Sequence, residues 1–169
     1  YTNFTAVNGT AEATTLADSS VNAIIAGQAF HWFNRERSRT EFERILKPEG
    51  WVALLWNERL IQSPFEKDYE QLIIKHGNQY KKVDHRNIDR TAIEHFFTPH
   101  KVTIKEFPNQ QVFDYAGLEG RLLSSSYMPA KHEAGYENMV TDLKALFDRF
   151  QANNHITIHY TTRLYVARL

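Results

Sequence analysis

Long apolar runs alternate with a charged amphipathic segment in the first third of the chain. Val21 to Phe30 is almost continuously apolar, and Trp51 to Trp56 repeats that pattern. Runs of this kind predict strands that are buried on both faces, as in a parallel sheet. The segment from Arg35 to Leu46 has a late apolar face and predicts a helix that ends at Lys47-Pro48-Glu49-Gly50, because Pro and Gly stop helices. Together these segments predict a right-handed strand–helix–strand crossover.

Helical periodicity continues through the middle of the chain. Apolar residues from Phe65 to Tyr80 recur every three or four positions, which predicts an amphipathic helix. A short helix is expected from the N-cap Asp89 to about Phe97, and another from the N-cap Asp114 to about Ser124. A longer amphipathic helix is expected from Tyr136 to Phe150.

Three further segments have the pattern of strands. Phe4 to Val7 is short and ends at the turn signal Asn8-Gly9. Lys101 to Phe107 alternates and predicts a half-exposed strand. Ile156 to Val166 alternates strictly and predicts a long final strand with one apolar face, which suits an antiparallel partner. The order predicts one α/β domain, with a parallel portion at 1–60, a helical insert at 61–100 and C-terminal strands and helices at 101–169.

Composition narrows the functional classes. The 169 residues carry 20 Lys and Arg against 20 Asp and Glu, so electrostatics give no reason to expect binding to nucleic acid or to a membrane surface. No apolar run approaches the ~20 residues of a membrane span. The chain has no Cys, and its eight His have no metal-ligand spacing, so no metal is expected. We expect a soluble, cytoplasmic domain.

Four segments stand out by their order and spacing, namely Gly9-Thr10-Ala11-Glu12, Leu16 to Asn22, Gln28-Ala29-Phe30-His31-Trp32-Phe33 and Glu43 to Trp51. They resemble the motifs around the fourth and fifth strands of class I S-adenosylmethionine (SAM)-dependent methyltransferases of the small-molecule, type 11-like subgroup. Leu123 to Pro129 and Tyr160 to Tyr165 fit the same subgroup. The resemblance covers essentially the whole chain.

The chain departs from the family in four respects. Asn22 stands where the family has Asp, and Ala17 stands where it has Pro. The Gly-x-Gly-x-Gly loop of the family, and the acidic residue after its second strand, have no counterpart. The resemblance therefore implies a Rossmann-like sheet of family order 3-2-1-4-5-7-6 from which strands 1 and 2 are missing, with Phe4 to Val7 as the third strand and an antiparallel final strand.

The resemblance also implies a site. SAM would be held by residues of the first turn and of the end of the strand that follows it, namely Thr10, Ala11, Glu12, Gln28, Ala29 and Trp32. His31 is the candidate catalytic base because its side chain titrates near neutrality. The acceptor would be bound by Trp56, Asn57 and Arg59, which follow the fifth strand, and by Arg121 and Tyr127 of a lid. For each of these residues a purely structural role is the alternative.

Three hypotheses follow for function. The first is an enzyme that methylates an oxygen or nitrogen of a small molecule. The second is a fragment of such an enzyme that cannot bind SAM and that forms a homodimer or swapped assembly through its exposed sheet edge. The third is another Rossmann-like module, which the predicted antiparallel final strand argues against.

Overall fold

The structure is a computed structural model that describes residues 2–78 and 90–169. It is an α/β fold, as predicted, with one four-stranded sheet in the order β1-β2-β4-β3. The strands are β1 (Val21–Gly27), β2 (Leu46–Arg59), β3 (Thr103–Phe113) and β4 (Ile156–Ala167). The described α-helices are α1 (Arg35–Ile45), α2 (Pro64–His76), α3 (Arg90–Phe97), α4 (Tyr115–Leu123) and α5 (Tyr136–Phe150). A 3-10 turn covers Phe30–Trp32.

The predicted strand–helix–strand unit is present. β1 and β2 are parallel, with Ile24 opposite Val52 and Ala26 opposite Leu54, and α1 connects them. The chain enters β2 directly at Leu46, so the residues expected only to end the helix are part of the strand. Gly50 is required there, because a Cβ atom would lie 2.8 Å from the Leu46 Cδ2 and 2.9 Å from the Lys47 carbonyl oxygen.

The predicted strand from Phe4 to Val7 is wrong. These residues form no strand, and the side chains of Phe4 and Val7 are 74% and 51% exposed. The only bridge nearby is the local one between Thr10 and Ala13. The segment is short, and no apolar surface covers its two large side chains. Pairing with another strand would therefore gain too little free energy to order it.

Close contacts divide the described residues into two compact units. The first unit comprises 2–57, 90–107 and 162–169. Its core combines Val52 and Leu54 of β2 with Phe42 of α1 and with Phe96 and Phe97 of α3. Aromatic rings meet edge to face within it, as in the Phe30–Phe96 pair, which adds to the free energy of apolar burial.

The second unit comprises 58–78 and 108–161. Its core is built by α2, α4 and α5, and Leu118, Met139 and Leu143 are completely buried. Helix starts are capped as the sequence indicates: the Asp114 carboxylate accepts a hydrogen bond from the Gly117 N–H at 2.7 Å. Ser63 and Glu66 form a capping box at α2.

β4 buries opposite faces at its two ends. Ile156, Ile158 and Tyr160 belong to the core of the second unit, whereas Tyr165 and Ala167 belong to the core of the first. Because successive residues of a strand point to opposite sides, the apolar face switches within the strand. The prediction of a single buried face from Ile156 to Val166 is therefore correct only for its first half.

Several boundaries differ from the predictions. β1 ends at Gly27 rather than at Phe30, and β3 extends to Phe113 instead of ending at Phe107. The predicted positions Tyr80 and Asp89 lie outside the described residues. The three-part division at residues 60 and 100 stays a prediction, as does the antiparallel pairing of the last strand. Among the described helices, none combines the length and the apolar character needed to cross a membrane.

Candidate cofactor and acceptor sites

The turn from Thr10 to Ala13 is closed by two backbone hydrogen bonds of 3.0 and 3.1 Å. The Glu12 carboxylate accepts a hydrogen bond of 2.8 Å from the backbone N–H of Asn34, the residue that caps α1. This bond, helped by one from Thr10, lowers the pKa of Glu12 below its ordinary value. Glu12 thus holds the turn against the start of α1, and its assignment as a cofactor residue stays a prediction.

A second contact fixes the same loop to α1. The Glu41 carboxylate accepts hydrogen bonds from the backbone N–H and the hydroxyl of Thr14, and it forms a bidentate pair with Arg44. The bonds from Arg44 and then from Thr14 lower the pKa of Glu41 to about 2. Arg44 also reaches the Asp18 carboxylate at 2.5 Å. The loop that carries the candidate cofactor residues is therefore held at both of its ends.

A cavity of about 340 Å³ lies between this loop and β1. Thr10, Ala11, Ala29 and Phe33 are among the residues that line it. The Ala11 backbone N–H makes no hydrogen bond within the described residues. The cavity therefore offers a ligand both a free N–H donor and an aromatic ring.

Gln28 immediately follows β1 in an unusual backbone conformation. Its φ is 55°, in the left-handed region that a residue with a side chain rarely adopts. Its backbone N–H donates to the Leu55 carbonyl at 2.9 Å, and its side-chain Nε2 donates to the Asn57 carbonyl at 3.3 Å. Such strain is maintained only where the surroundings over-determine it, and it is common at ligand sites.

His31 and Trp32 lie together on the 3-10 turn that follows Ala29. Their ring centroids are 4.7 Å apart, and both side chains are exposed. Phe30 between Ala29 and His31 is buried and anchors the turn in the core of the first unit. The assignments of His31 as a base and of Trp32 as a cofactor contact stay predictions.

Trp56 and Asn57 at the end of β2 have different surroundings. Trp56 is buried in the core, where its ring meets Tyr165 and Phe30 edge to face at 5.6 and 6.3 Å. This position indicates packing rather than contact with an acceptor. Asn57 is exposed, and its Oδ1 accepts a hydrogen bond of 2.6 Å from the Thr162 hydroxyl.

The remaining predicted acceptor residues all belong to the second unit. Arg59 is largely buried and not a surface side chain: it forms an ion pair with Glu70, and its guanidinium lies 5.1 Å from the ring centroid of Tyr69. Burial raises the pKa of Tyr69, while the positive charges of Arg121 and Arg59 oppose that change. Tyr127 lies close enough to act on the same hydroxyl. Arg59 thus lies against Tyr69, and Arg121 and Tyr127 act electrostatically on the Tyr69 hydroxyl.

Sequence reasoning missed the two tyrosines at the centre of this cluster. Tyr69 and Tyr160 are both 3% exposed, and both sit at apolar positions of a periodic pattern. They therefore counted only as core residues. The available signal was that each carries a hydroxyl that a buried position must either pair or leave unsatisfied.

Metal binding has no candidate in the described parts of the chain. No group of three or more His, Asp or Glu side chains there is placed to hold an ion.

The chain is similar in sequence to known methyltransferases. Residues 2–54 match the family described as "Methyltransferase domain". An uncharacterized methyltransferase of Schizosaccharomyces pombe is 43% identical over 67 residues, which cover 40% of this chain and 27% of the relative. An uncharacterized methyltransferase of Mycobacterium tuberculosis is 27% identical over 161 residues, which cover 93% of this chain. The chain spans 62% of the length of the mycobacterial relative.

The fold has a counterpart among solved structures. A candidate type II methyltransferase from Anaeromyxobacter dehalogenans aligns with a TM-score of 0.60 and 16% identity, over 95% of this chain and 69% of that one. At this identity the likeness concerns the fold alone. The matches in sequence are to methyltransferases, which is the similarity that the ordered motifs indicated.

Proposed function

We propose that the protein transfers a methyl group from SAM to an oxygen or nitrogen atom of a small-molecule acceptor. The observation that carries this proposal is the cavity beside the Thr10–Ala13 turn, where the Ala11 N–H is available to a ligand. The turn itself is held by Glu12, so the donor is presented on a fixed backbone. Thr10 and Ala11 would hold the adenine, and Gln28 and Ala29 would contact the methionine part.

The order of the strands supports the same proposal. Order β1-β2-β4-β3 corresponds to strands 4-5-7-6 of the methyltransferase sheet. In that correspondence Gln28 and Ala29 follow the carboxyl end of a parallel strand, which is where open α/β sheets bind ligands.

Methyl transfer makes modest demands on the protein. When bound, SAM supplies a methyl group on a sulfonium that is already a good leaving group. The residues of this chain would mainly position the acceptor, and such positioning can lower a barrier by ~7–11 kcal/mol. A base is needed only if the accepting atom must lose a proton. His31 is exposed beside Trp32 and is the residue proposed for that step.

The alternative is that these residues alone do not complete a cofactor site. β1 is the terminal strand of the described sheet, and Ile25 on it is 67% exposed. A bare apolar edge favours pairing with a second copy. In this case the chain would associate without binding SAM.

Calorimetric titration of the 169-residue chain with SAM distinguishes the proposed enzyme from a fragment that does not bind SAM. Micromolar binding supports the enzyme and contradicts the non-binding fragment. Phe33→Leu keeps the cavity apolar but removes the ring face, and we expect it to weaken binding about three- to tenfold. Phe107→Leu on β3, whose side chain is 48% exposed, is the matched control. Radiolabelled methyl transfer to a panel of acids, amines and phenols then identifies the acceptor atom.

A further inference from the structure

Asn8 and Gly9 are both exposed and lie directly before the Thr10–Ala13 turn. They form the single Asn-Gly pair in the sequence. In such a pair the glycine nitrogen can reach the carbonyl carbon of the asparagine side chain, because glycine has no Cβ atom to hinder the approach and its backbone adopts conformations that other residues avoid. The pair is therefore a place where the chain can react with itself.

The packing of the loop requires glycine at position 9. A Cβ atom on Gly9 would lie 2.7 Å from the carbonyl oxygen of Ala13 and 3.0 Å from both the Cα atom and the carbonyl oxygen of Thr14. These are backbone atoms, and the loop is held in place where Thr14 bonds to Glu41. The fold thus keeps a glycine after Asn8, and with it the reactive pair.

Thr15 makes this peptide group more reactive. Its hydroxyl donates a hydrogen bond of 3.2 Å to the Asn8 carbonyl oxygen, which belongs to the same peptide group as the Gly9 nitrogen. A donor at this oxygen stabilises the deprotonated form of the peptide group, and the deprotonated nitrogen is the attacking species. Thr15 has a φ of 63°, which is an outlier for a β-branched residue. Such strain persists only where the surroundings impose it.

We propose that Asn8 is a site of spontaneous modification, and that the modification weakens ligand binding in the cavity beside the Thr10–Ala13 turn. The Gly9 nitrogen gives up its proton to solvent and forms a bond to the Cγ atom of Asn8. The bond from Cγ to Nδ2 breaks, and the side-chain nitrogen leaves as ammonia. Water then opens the resulting cyclic imide at either carbonyl and gives aspartate or isoaspartate.

Both products alter the wall of the cavity. Gly9 and Thr10 are among its lining residues. Either product places a new carboxylate directly before them, and isoaspartate also lengthens the main chain by one carbon atom, which displaces both residues. The effect on SAM binding rests on the proposed function, whereas the reaction at Asn8 does not.

Mass spectrometry tests the reaction itself. The 169-residue chain is incubated at mildly alkaline pH in water enriched in the heavy oxygen isotope, then digested, and the modified residues are located by fragmentation. Asn8 should gain one heavy oxygen atom and appear as both aspartate and isoaspartate. Asn3 is the matched control, because it is exposed in the same segment but is followed by Phe4. Absence of conversion at Asn8, or equal conversion at Asn3 and Asn8, overturns the proposal.

A variant of Thr15 tests the contribution of the hydroxyl. Thr15→Val keeps the β-branch and the shape but removes the donor, so it should slow conversion of Asn8 about two- to tenfold, which is the effect of one hydrogen bond on a rate. Thr141→Val, which removes an exposed hydroxyl on α5, should convert at the wild-type rate. Equal rates in Thr15→Val and the wild type would show that the contact does not promote the reaction.

Calorimetry tests the consequence for the cavity. Aged wild-type chain should bind SAM about three- to tenfold more weakly than fresh chain, because the displaced loop must be reordered on binding. Asn8→Gln keeps an amide but places it one carbon farther from the backbone, so the aged variant should bind like the fresh one. Equal affinity of fresh and aged wild type overturns the proposed effect on the cavity. Failure of the fresh chain to bind SAM would contradict the proposed function and leave the modification site standing.

Discussion

The Glu41 carboxylate accepts two hydrogen bonds from Thr14, one from its backbone N–H at 2.8 Å and one from its hydroxyl at 2.6 Å. The two residues are 27 positions apart, and Glu41 lies on α1. Thr14 lines the cavity beside the Thr10–Ala13 turn. The contact therefore fixes one wall of the proposed cofactor site before any ligand arrives, which lowers the entropic cost of binding.

Replacing Thr14 with Val should weaken SAM binding while leaving the fold intact. The substitution keeps the shape but removes the hydroxyl bond to Glu41, so the loop must be ordered when the ligand binds. We expect an affinity loss of about three- to tenfold, measured by calorimetry. Thr141→Val on α5 removes an exposed hydroxyl and should have no effect. An unchanged affinity in Thr14→Val would show that this contact does not prepare the site.

Glu66→Gln should destabilise the second unit. The buried Glu66 carboxylate accepts hydrogen bonds from the backbone N–H groups of Gln62, Ser63 and His159, at 2.9, 2.9 and 3.0 Å. An amide has one acceptor oxygen fewer, so at least one buried N–H loses its partner, at a cost of about 2–3 kcal/mol. Urea unfolding measures this change. Asp148→Asn, in an exposed pair with Lys144, should cost at most about 0.5 kcal/mol.

The same carboxylate should give the stability a defined dependence on pH. Burial by itself would raise the pKa of Glu66, but the bonds from Ser63, Gln62 and His159 outweigh burial and lower it from 4.5 to about 2. A group whose pKa is lowered by folding stabilises the protein above its unfolded pKa, and this contribution is lost as the pH falls towards the folded value. The difference in unfolding free energy between wild type and Glu66→Gln should be full at pH 6 and shrink between pH 4.5 and 2. A difference that stays constant over this range would contradict the assignment.

Two substitutions of Gln28 should separate the effect of backbone strain on stability from the effect of a lost side-chain contact on SAM binding. Glycine accepts a φ of 55° without cost, so Gln28→Gly should change the unfolding free energy by no more than about 0.5 kcal/mol. It should nevertheless weaken SAM binding, because the side chain proposed to contact the methionine part is gone. Gln28→Val should cost about 1–2 kcal/mol, since a β-branched residue is strained in this region. Equal stability of the two variants would argue against strain at this position.

Ile25→Lys tests self-association through β1. Ile25 is 67% exposed, and with Trp51, Leu55, Leu164 and Val166 it lines an open apolar cavity of about 710 Å³ in the first unit. A charge on this surface should suppress association at high concentration and change stability by no more than about 0.5 kcal/mol. Sedimentation velocity gives the result. Ile74→Lys, on the partly exposed side of α2, is the control. A wild-type chain that stays monomeric at high concentration would contradict the prediction.

The sequence predicted those parts of the fold that local chemistry determines. Asp114 begins α4 because its carboxylate can cap the helix, and the apolar run at Trp51 to Trp56 lies within buried β2. Phe4 to Val7 failed because a strand depends on a neighbour, which a local pattern does not contain. The end of β1 was predicted too late in the chain, because the apolar residue Phe30 is buried as part of a 3-10 turn and not as part of a strand.

The candidate site likewise has one part that the local sequence predicts and another part that it does not. The motif around Thr10 to Glu12 placed the turn correctly, since its hydrogen bonds are local apart from the one to Asn34. The cluster around Tyr69 depends on residues that are far apart in sequence, and periodicity assigns such aromatic residues only to a core. The unpaired Tyr160 hydroxyl becomes visible only when its surroundings are known.

The change of buried face along β4 bears on how the chain folds during synthesis. The strand supplies Ile158 to one hydrophobic core and Tyr165 to the other, and it is made after every other element described. While the ribosome is still producing α5, both cores lack a wall, and their apolar side chains remain accessible to chaperones. Completion of this one strand would then let both cores close within a few residues of elongation, so a premature stop codon before Ile156 would damage two units at once.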